Sequence, residues 1–426
     1  MFRNINIINP KIVAKEKSFS KYYAGFNDEF VKQFLLSSEL DSSSKILDPW
    51  NGVGTTTTNA NFQNYSSIGC DINPVMGLYA KARLFKQEDV KMLLSIRDEI
   101  VNQVLERKSV GVDIKNDPLL DWFSPGATKN LRKIEINLKR LLLSDVHNDS
   151  ANSIEVHPSI VCFFYVGIFK TLQTLAKDFK SSNPTWIKKP KVETEKLRPP
   201  KTKILSIFKN EIENILCTPE FHGEGASEKN VDIRIKSSLN TGITDNSVDL
   251  VLTSPPYCTR IDYAITTQIE LALLRFNSEQ IRNLRDQMIG TSTIYADDFE
   301  CREEWGEKTN LFLEQVYNHA SKASQTYYYR SHFQYYQSMY KSICHLSQDV
   351  IKPGGGLVLV VQDSFYKDIH NNLQENLIDL ASKTGLDLQN RIDFKVKRSM
   401  SSINSKSNKY RNFISPTESV LCFTKS

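Results

Sequence analysis

The sequence of 426 residues contains no C-x-x-C pair, and its seven cysteines (70, 162, 217, 258, 301, 344 and 422) are odd in number and widely spaced. That pattern excludes a regular disulfide framework and a cysteine zinc site. Buried or idle thiols in a reducing cytoplasm are the expectation. The seven histidines show no metal-ligand spacing, so no metal site is expected. Long apolar runs are missing too. The longest, Ile160 to Phe169, is about half of the roughly 18–20 residues that a spanning helix needs. The N-terminal stretch MFRNINIINPKIVAKEK has no apolar signal core. A soluble, cytoplasmic protein without a membrane partner is expected. No internal repeat is visible. Charge of one sign is scarce: 54 Lys+Arg stand against 49 Asp+Glu, for a net charge of +5, too mild by itself to imply a nucleic-acid partner.

The composition supports a folded chain. A hydrophobic fraction of 40% suffices for a packed core, and the length allows two or three domains, or one large domain with an insertion. Strand, loop, helix, strand and helix succeed one another from Lys45 to about Arg107: Lys45-Ile-Leu-Asp48, a glycine-containing loop, a helix opening at Thr55, Ser67-Ile-Gly-Cys-Asp71, then helical patterns at Val75–Leu84 and Gln87–Arg107. This rhythm predicts an α/β fold with a parallel sheet covered by helices on both faces. It breaks between about 110 and 225, where helices are predicted over Ala127–Leu143 and Pro158–Phe179. It resumes with strands at Val231–Lys236, Val248–Thr253 and Leu357–Gln362. A helix over Asn371–Thr384 follows, and the last two strands, Asn390–Lys397 and Ser419–Thr424, are suited to a terminal antiparallel hairpin.

The mild charge is concentrated. Lys177 to Lys203 holds nine Lys/Arg against three acids, a local +6, and prolines 184, 190, 199 and 200 predict an extended, exposed stretch. Lys188, Lys189 and Lys191, with Trp186 interleaved, suit phosphate contacts that provide affinity without sequence information. A solvated basic linker is the plain alternative. The aromatic stretch Gln325 to Tyr336, which includes Arg330, suits base stacking or a wedge, but a helix packed on the sheet is the preferred reading.

Two motifs carry chemistry. In Asp48-Pro-Trp-Asn-Gly-Val-Gly-Thr-Thr56, Gly52 and Gly54 let the backbone turn tightly beside a ligand. Asp71, at the next strand end, is placed to bind the two hydroxyls of a ribose. The loop is neither a dinucleotide fingerprint, lacking the third glycine, nor a phosphate-binding Gly-Lys-Ser/Thr loop. In Thr253-Ser-Pro-Pro-Tyr257, two prolines hold the chain extended past a strand end. They present the Ser254 hydroxyl and carbonyl beside the π-face of Tyr257. Fixed acceptors of that kind favour a pyramidal exocyclic amine with an available lone pair, and a duplex base must be extruded to reach them. Arg260 is placed to contact the flanking phosphate. No Pro-Cys dipeptide occurs, so the setting in which the known cytosine-C5 enzymes hold a cysteine nucleophile is absent.

Together these residues resemble the amino-methyltransferases of DNA, S-adenosylmethionine-dependent enzymes that modify cytosine at N4 or adenine at N6. Asp48 to Thr56 is similar to that family's cofactor loop, usually D-P-F-x-G-x-G-T-T. Gly69-Cys-Asp-Ile-Asn-Pro74 is similar to its ribose-binding strand end, and Thr253-Ser-Pro-Pro-Tyr257 matches its catalytic motif in the serine form. Tyr22 to Val31 is a looser likeness of the segment that closes over the methionine end of the cofactor. Lys352-Pro-Gly-Gly-Gly and Glu418-Ser-Val-Leu-Cys-Phe423 fit as well. The resemblance spans roughly 20–85 and 230–426.

The resemblance implies a class I Rossmann-like methyltransferase: a mostly parallel seven-stranded sheet with a C-terminal antiparallel hairpin and an inserted, mainly helical region. Residues 1–109 would be the first part of the methyltransferase domain, 110–230 the insertion and candidate target-recognition region, and 231–426 the catalytic part. Implied cofactor contacts are Tyr23, Ala24, Phe26, Asp48, Pro49, Gly52, Gly54, Thr55, Asp71, Asn73 and Thr253. Ser254, Pro255, Pro256 and Tyr257 are the implied catalytic residues. A contact to the cofactor's adenine is left open between Ser237 and Asn240. Double-stranded DNA is the expected partner, with a cognate restriction endonuclease or defence-system subunits beside it. The serine form favours cytosine N4. Adenine N6, an RNA or protein-amide substrate, and a non-catalytic DNA-binding subunit are the alternatives.

Overall fold

The computed structural model describes residues 2–11, 25–85, 90–106, 111–143, 153–179, 187–218, 230–258, 261–294, 300, 302–395 and 416–426. Five strands run parallel: β1 (Lys45–Asp48), β2 (Ser66–Cys70), β3 (Val231–Arg234), β4 (Val248–Thr253) and β5 (Ile351–Gln362). After β5, β6 (Ser364–Tyr366) and β7 (Ile369–Asn371) form a separate small hairpin. Then β8 (Leu386–Lys395) pairs antiparallel with β9 (Thr417–Lys425), which also pairs antiparallel with β5. The sheet order is β3-β2-β1-β4-β5-β9-β8. The order reverses between β1 and β4, so their carboxyl ends lie side by side, where open α/β sheets bind ligands.

Local chemistry starts the helices next to this edge. Asn27 caps α1 (Asp28–Ser37) by accepting the Phe30 amide at 2.7 Å. Helix α2 (Thr55–Phe62) springs directly from Gly54, whose φ of 84° is left-handed. An added Cβ there would lie 2.9 Å from Ala80 Cβ, so glycine is required by both conformation and space. Helix α3 (Pro74–Ala82) has Asn73 as its cap and Pro74 in its first turn, a favoured start because proline lacks the amide that would otherwise go unpaired.

Helices α4 (Val90–Leu105), α5 (Pro125–Leu142), α6 (Ser153–Val156), α7 (Ser159–Leu175) and α8 (Lys201–Leu216) follow. The apolar run foreseen at 160–169 is the centre of α7 and is buried nearly all round. Gly167 lets α8 approach, because an added Cβ would press on Ile212. Among the described residues no helix is long and apolar enough to cross a membrane. Helix α8 is absent from the sequence reading, which continues the extended Pro/Lys stretch to Lys203. The structure ends that stretch at Pro200, the residue capping α8. Proline's fixed φ suits a helix start, and the buried Ile204, Leu205, Phe208, Ile212 and Ile215 supply a helical stripe.

The remaining helices are α9 (Tyr263–Thr266), α10 (Gln268–Leu273), α11 (Ser278–Gln287), α12 (Glu307–Asn318), α13 (Tyr329–His345) and α14 (Leu373–Ser382). Alternation along the strands divides the core. Leu47, Val251, Leu357, Leu359 and Leu421 face α12 to α14. Ile46, Leu250, Leu252, Val358 and Val420 face α1. A third core joins α3, α4, α5, α7 and α8 to α10 and α11, so the helices of the 110–230 stretch share their core with α3. The aromatic stretch is helix α13, and Phe333, Tyr335 and Tyr336 are buried against the sheet layer.

The helical layer is tied down by a buried charge cluster. Arg132 is fully buried. It donates to Asp117 at 2.7 and 2.8 Å, to Glu135 at 2.6 Å and to the Ala272 carbonyl at 2.9 Å. Removing one partner of such a cluster leaves uncompensated buried charge. Arg132→Ala is therefore expected to cost about 3–5 kcal/mol of stability, read from the urea midpoint. A change in midpoint within measurement error would contradict this.

Candidate active site

The glycine loop turns at the end of β1. Asp48, 3% exposed, accepts the Thr56 hydroxyl at 2.7 Å, the Thr253 hydroxyl at 2.6 Å and the Trp50 amide at 3.1 Å. Its carboxylate thus fastens the loop to α2 and to the end of β4. Burial raises its pKa to about 6 against the pull of those three donors. The loop is braced a second time by Asn51, whose amide donates to the Cys70 carbonyl and whose side chain accepts from Thr57. Asn51 also lies so close over Gly69 that a Cβ there would be 2.4 Å away.

Asp71, just past β2, accepts the Gly52 amide at 3.0 Å and the Asn73 amide at 2.8 Å. These bonds orient a carboxylate that lines an open cleft. Burial raises its pKa to about 6 as well. The space between the cleft walls, open to solvent on one side, is about 750 Å³. The walls come from the glycine loop, the end of β2 and α3 (Asp71, Asn73 and Met76 among them), from the Ser254 turn and from Gln287 to Ile289, with Ser237 and Ser238 also on the wall. Thr267 lines it too, and accepts the Asn73 side-chain amide at 2.9 Å, tying the cap of α3 to the α9–α10 junction.

The Ser254-Pro-Pro-Tyr257 turn leaves β4 beside the same cleft. Pro255 and Tyr257 are buried, while Ser254 and Pro256 are partly exposed. The Pro256 carbonyl accepts the Tyr335 hydroxyl of α13 at 3.0 Å, so the aromatic helix holds the turn from behind. Beside the Tyr257 ring stands Lys11, its Nζ 5.3 Å from the ring centroid and 3.7 Å from Glu418 of β9. Burial pushes the Glu418 carboxyl up to about 7 and lowers Lys11.

The structure brings Pro49, Asp71, Asn73, Ser254 and Pro256 together on the cleft wall. Gly52 shapes the loop, at φ 50°. Asp48 and Thr253 sit behind it as scaffold. Thr55 opens α2 and accepts from Arg83. Phe26 is buried against Phe30, with ring centroids 5.5 Å apart. Lys188 and Lys191 are exposed. Lys189 is engaged, pairing with Asp121 at 2.6 Å and lying over the Trp122 ring. Arg330 is on the exposed side of α13. Tyr23, Ala24, Trp186 and Arg260 lie outside the described residues. Sequence reasoning misses Lys11, Glu418, Met76, Thr267 and the Gln287–Ile289 segment. For Lys11 and Thr267 the sequence holds no signal, whereas Glu418 is an acid at the head of an apolar strand.

A sheet of this order, with an open cleft at its reversal point, is that of a class I methyltransferase fold. Residues 248–426 match the model of the N6/N4 methyltransferase family, described as DNA methylase. Type II methyltransferase M.BsoBI of Geobacillus stearothermophilus is 27% identical over 315 residues, covering 70% of this chain and 60% of that protein. Type II methyltransferase M.AvaI of Nostoc sp. is 23% identical over 312 residues, covering 69% and 61%. The match thus spans about 60% of the length of these relatives. Over residues 248–426 the chain is similar to the amino-methyltransferases of DNA, and over a longer stretch to these two relatives.

Asp48 provides a test of the scaffold. Its folded pKa of about 6 lies above the ordinary value of about 3.9. The stability it contributes is full below about pH 4 and is lost as pH rises through about 6. Asp48→Asn removes that slope. Urea midpoints taken between about pH 4 and about pH 7 should fall less steeply for the variant than for the wild type. Parallel curves would contradict the assignment.

Proposed function

We propose that the protein is a site-specific DNA methyltransferase that transfers a methyl group from S-adenosylmethionine to the N4 amine of a flipped-out cytosine, in a restriction–modification or other host-defence setting. The observation that carries this reading is the Asp48–Thr253 hydrogen bond of 2.6 Å. It locks the glycine loop to the strand end bearing Ser254, so a nucleoside site and an amine-polarising site share one cleft.

The residues present fit the cofactor. The Asp71 carboxylate faces the cleft with both oxygens already oriented by backbone amides, as an acceptor for two ribose hydroxyls requires. Ile72 and Met76 give the adjoining wall an apolar surface that suits a purine. Gly52 and Gly54 would let backbone approach the amino-acid end. When bound, the cofactor supplies an electrophilic sulfonium methyl group. The chain's own residues do the rest by positioning. The Ser254 hydroxyl and the Ser254 or Pro255 carbonyl accept the two amine hydrogens, which keeps the nitrogen lone pair available. Tyr257 offers its ring to the extruded base. The serine at position 254, rather than an acid or amide, favours cytosine. The relatives named as type II methyltransferases support the restriction–modification setting.

Ser254→Ala should lose most methyl transfer to DNA while S-adenosylhomocysteine still binds, and Asp71→Asn should weaken that binding at unchanged fold stability. Nucleoside mass spectrometry of the product should show N4-methylcytosine. Full turnover in Ser254→Ala would remove the assigned role, and N6-methyladenine would replace cytosine with adenine as the target. For DNA affinity, the exposed pair carries the expectation. Lys188→Gln with Lys191→Gln should lower the slope of log affinity against log salt by about 2. Lys189→Gln, whose wild-type charge is spent on Asp121, should leave the slope nearly unchanged. An unchanged slope in the double variant would take this stretch out of the interface.

A further inference from the structure

We propose that Lys11 and Glu418 are positioning residues for Tyr257, fixing the aromatic platform against which the target base stacks. The inference rests on the methyltransferase reading and extends it to two residues outside the cofactor loop and the Ser254-Pro-Pro-Tyr257 turn.

Three segments far apart in sequence meet here. Lys11 belongs to the N-terminal segment, Tyr257 to the turn after β4, and Glu418 to the head of β9. The Lys11 ammonium donates to the Gly25 carbonyl at 2.6 Å, lies 3.7 Å from Glu418 Oε1 and stands 5.3 Å from the Tyr257 ring centroid. Glu418 is 0% exposed, and its carboxylate faces the Lys11 ammonium and the Tyr257 hydroxyl, which pull its pKa down against the upward push of burial. Its neighbours on the same face of β9, Val420 and Cys422, are apolar, as the strand's period of two requires. A residue kept only for packing would be apolar at 418 too, because burying a carboxylate costs several kcal/mol. The charge is instead placed where it holds an ammonium over the ring, an attraction that strengthens as water is removed. Strand β9 makes the anchor rigid: Glu418 is paired with Gln362 of β5. The same lysine reaches back to the carbonyl of Gly25, within the stretch Tyr22 to Val31 likened to the segment that closes over the cofactor.

The test is the double variant Lys11→Met with Glu418→Gln. It removes both charges together and leaves neither unpaired, so its unfolding midpoint should stay close to the wild type. On DNA carrying the protein's own modification site, kcat should fall about tenfold, while the affinity for S-adenosylhomocysteine stays unchanged. With 2-aminopurine at the target position, the fluorescence of the complex should change, reporting altered stacking. Lys11→Arg, which keeps the cation, should retain most of kcat. Wild-type kcat and an unaltered 2-aminopurine signal in the double variant would overturn the proposal. A second measurement needs no turnover. In an unfolding cycle of Lys11→Met against Tyr257→Leu, the two effects should be non-additive, and simple additivity would overturn the contact. If the wild-type protein methylates no DNA at all, the methyltransferase reading fails, and this cycle still decides whether Lys11 holds Tyr257.

Discussion

The Asp48 carboxylate accepts hydrogens from Thr56, Thr253 and the Trp50 amide, and most of the site's geometry follows from that one side chain. Strands β1 and β4 are neighbours because the sheet reverses order between them. Neighbouring strands alone do not fix the loops at their ends. The carboxylate does, joining the ligand loop, the helix behind it and the Ser254 turn into one rigid edge. The charge is held out of water, which is why its pKa rises to about 6, and hydroxyl and amide donors offset part of that cost. Around it, a second layer repeats the principle. Asn73 reaches Thr267, Tyr335 reaches the Pro256 carbonyl, and each joins an element of the cleft to a helix packed elsewhere.

Much of the sheet was legible in the sequence because its signals are local. Lys45–Asp48 and Val248–Thr253 are bounded by the loop chemistry that ends them, and the apolar run at Leu357–Gln362 can only be a covered strand. The glycine loop and Asp71 are legible for the same reason: special backbone geometry demands special residues. The division of labour inside the loop was not. A sequence pattern places Asp48 and Asp71 alike at strand ends. Which carboxylate faces the cleft and which turns inward depends on Thr253, about 200 residues away along the chain. Lys11 gave no signal for that reason too, since its approach to Tyr257 and Glu418 exists only where three distant segments meet. Helix α8 escaped because Pro199 and Pro200 read as extended chain. In the structure they are the approach to a helix that an apolar stripe holds in place.

The charge distribution changes meaning in three dimensions. The basic stretch near residue 190 gives a local excess in the sequence, but parts of it are spent within the protein: Lys189 on Asp121 and Lys196 on Glu193. Lys188 and Lys191 remain exposed. The helices that precede and follow this stretch are not a loosely tethered arm. They share a hydrophobic core with α3, whose cap, Asn73, lines the cleft. A partner bound on the helical layer would therefore press on elements continuous with the cleft wall at Asn73 and Met76.

The central claim is that the cleft joins a cofactor site to an amine-polarising turn for transfer to a DNA base. Expression of the chain in a host free of DNA methylation, followed by base-resolved sequencing of modified positions, tests it most directly. The account expects N4-methylcytosine confined to one short sequence motif, and no modification in a host carrying the Ser254→Ala variant. Unmodified DNA in both hosts, or methyl groups placed on ring carbons rather than on an exocyclic amine, would contradict it.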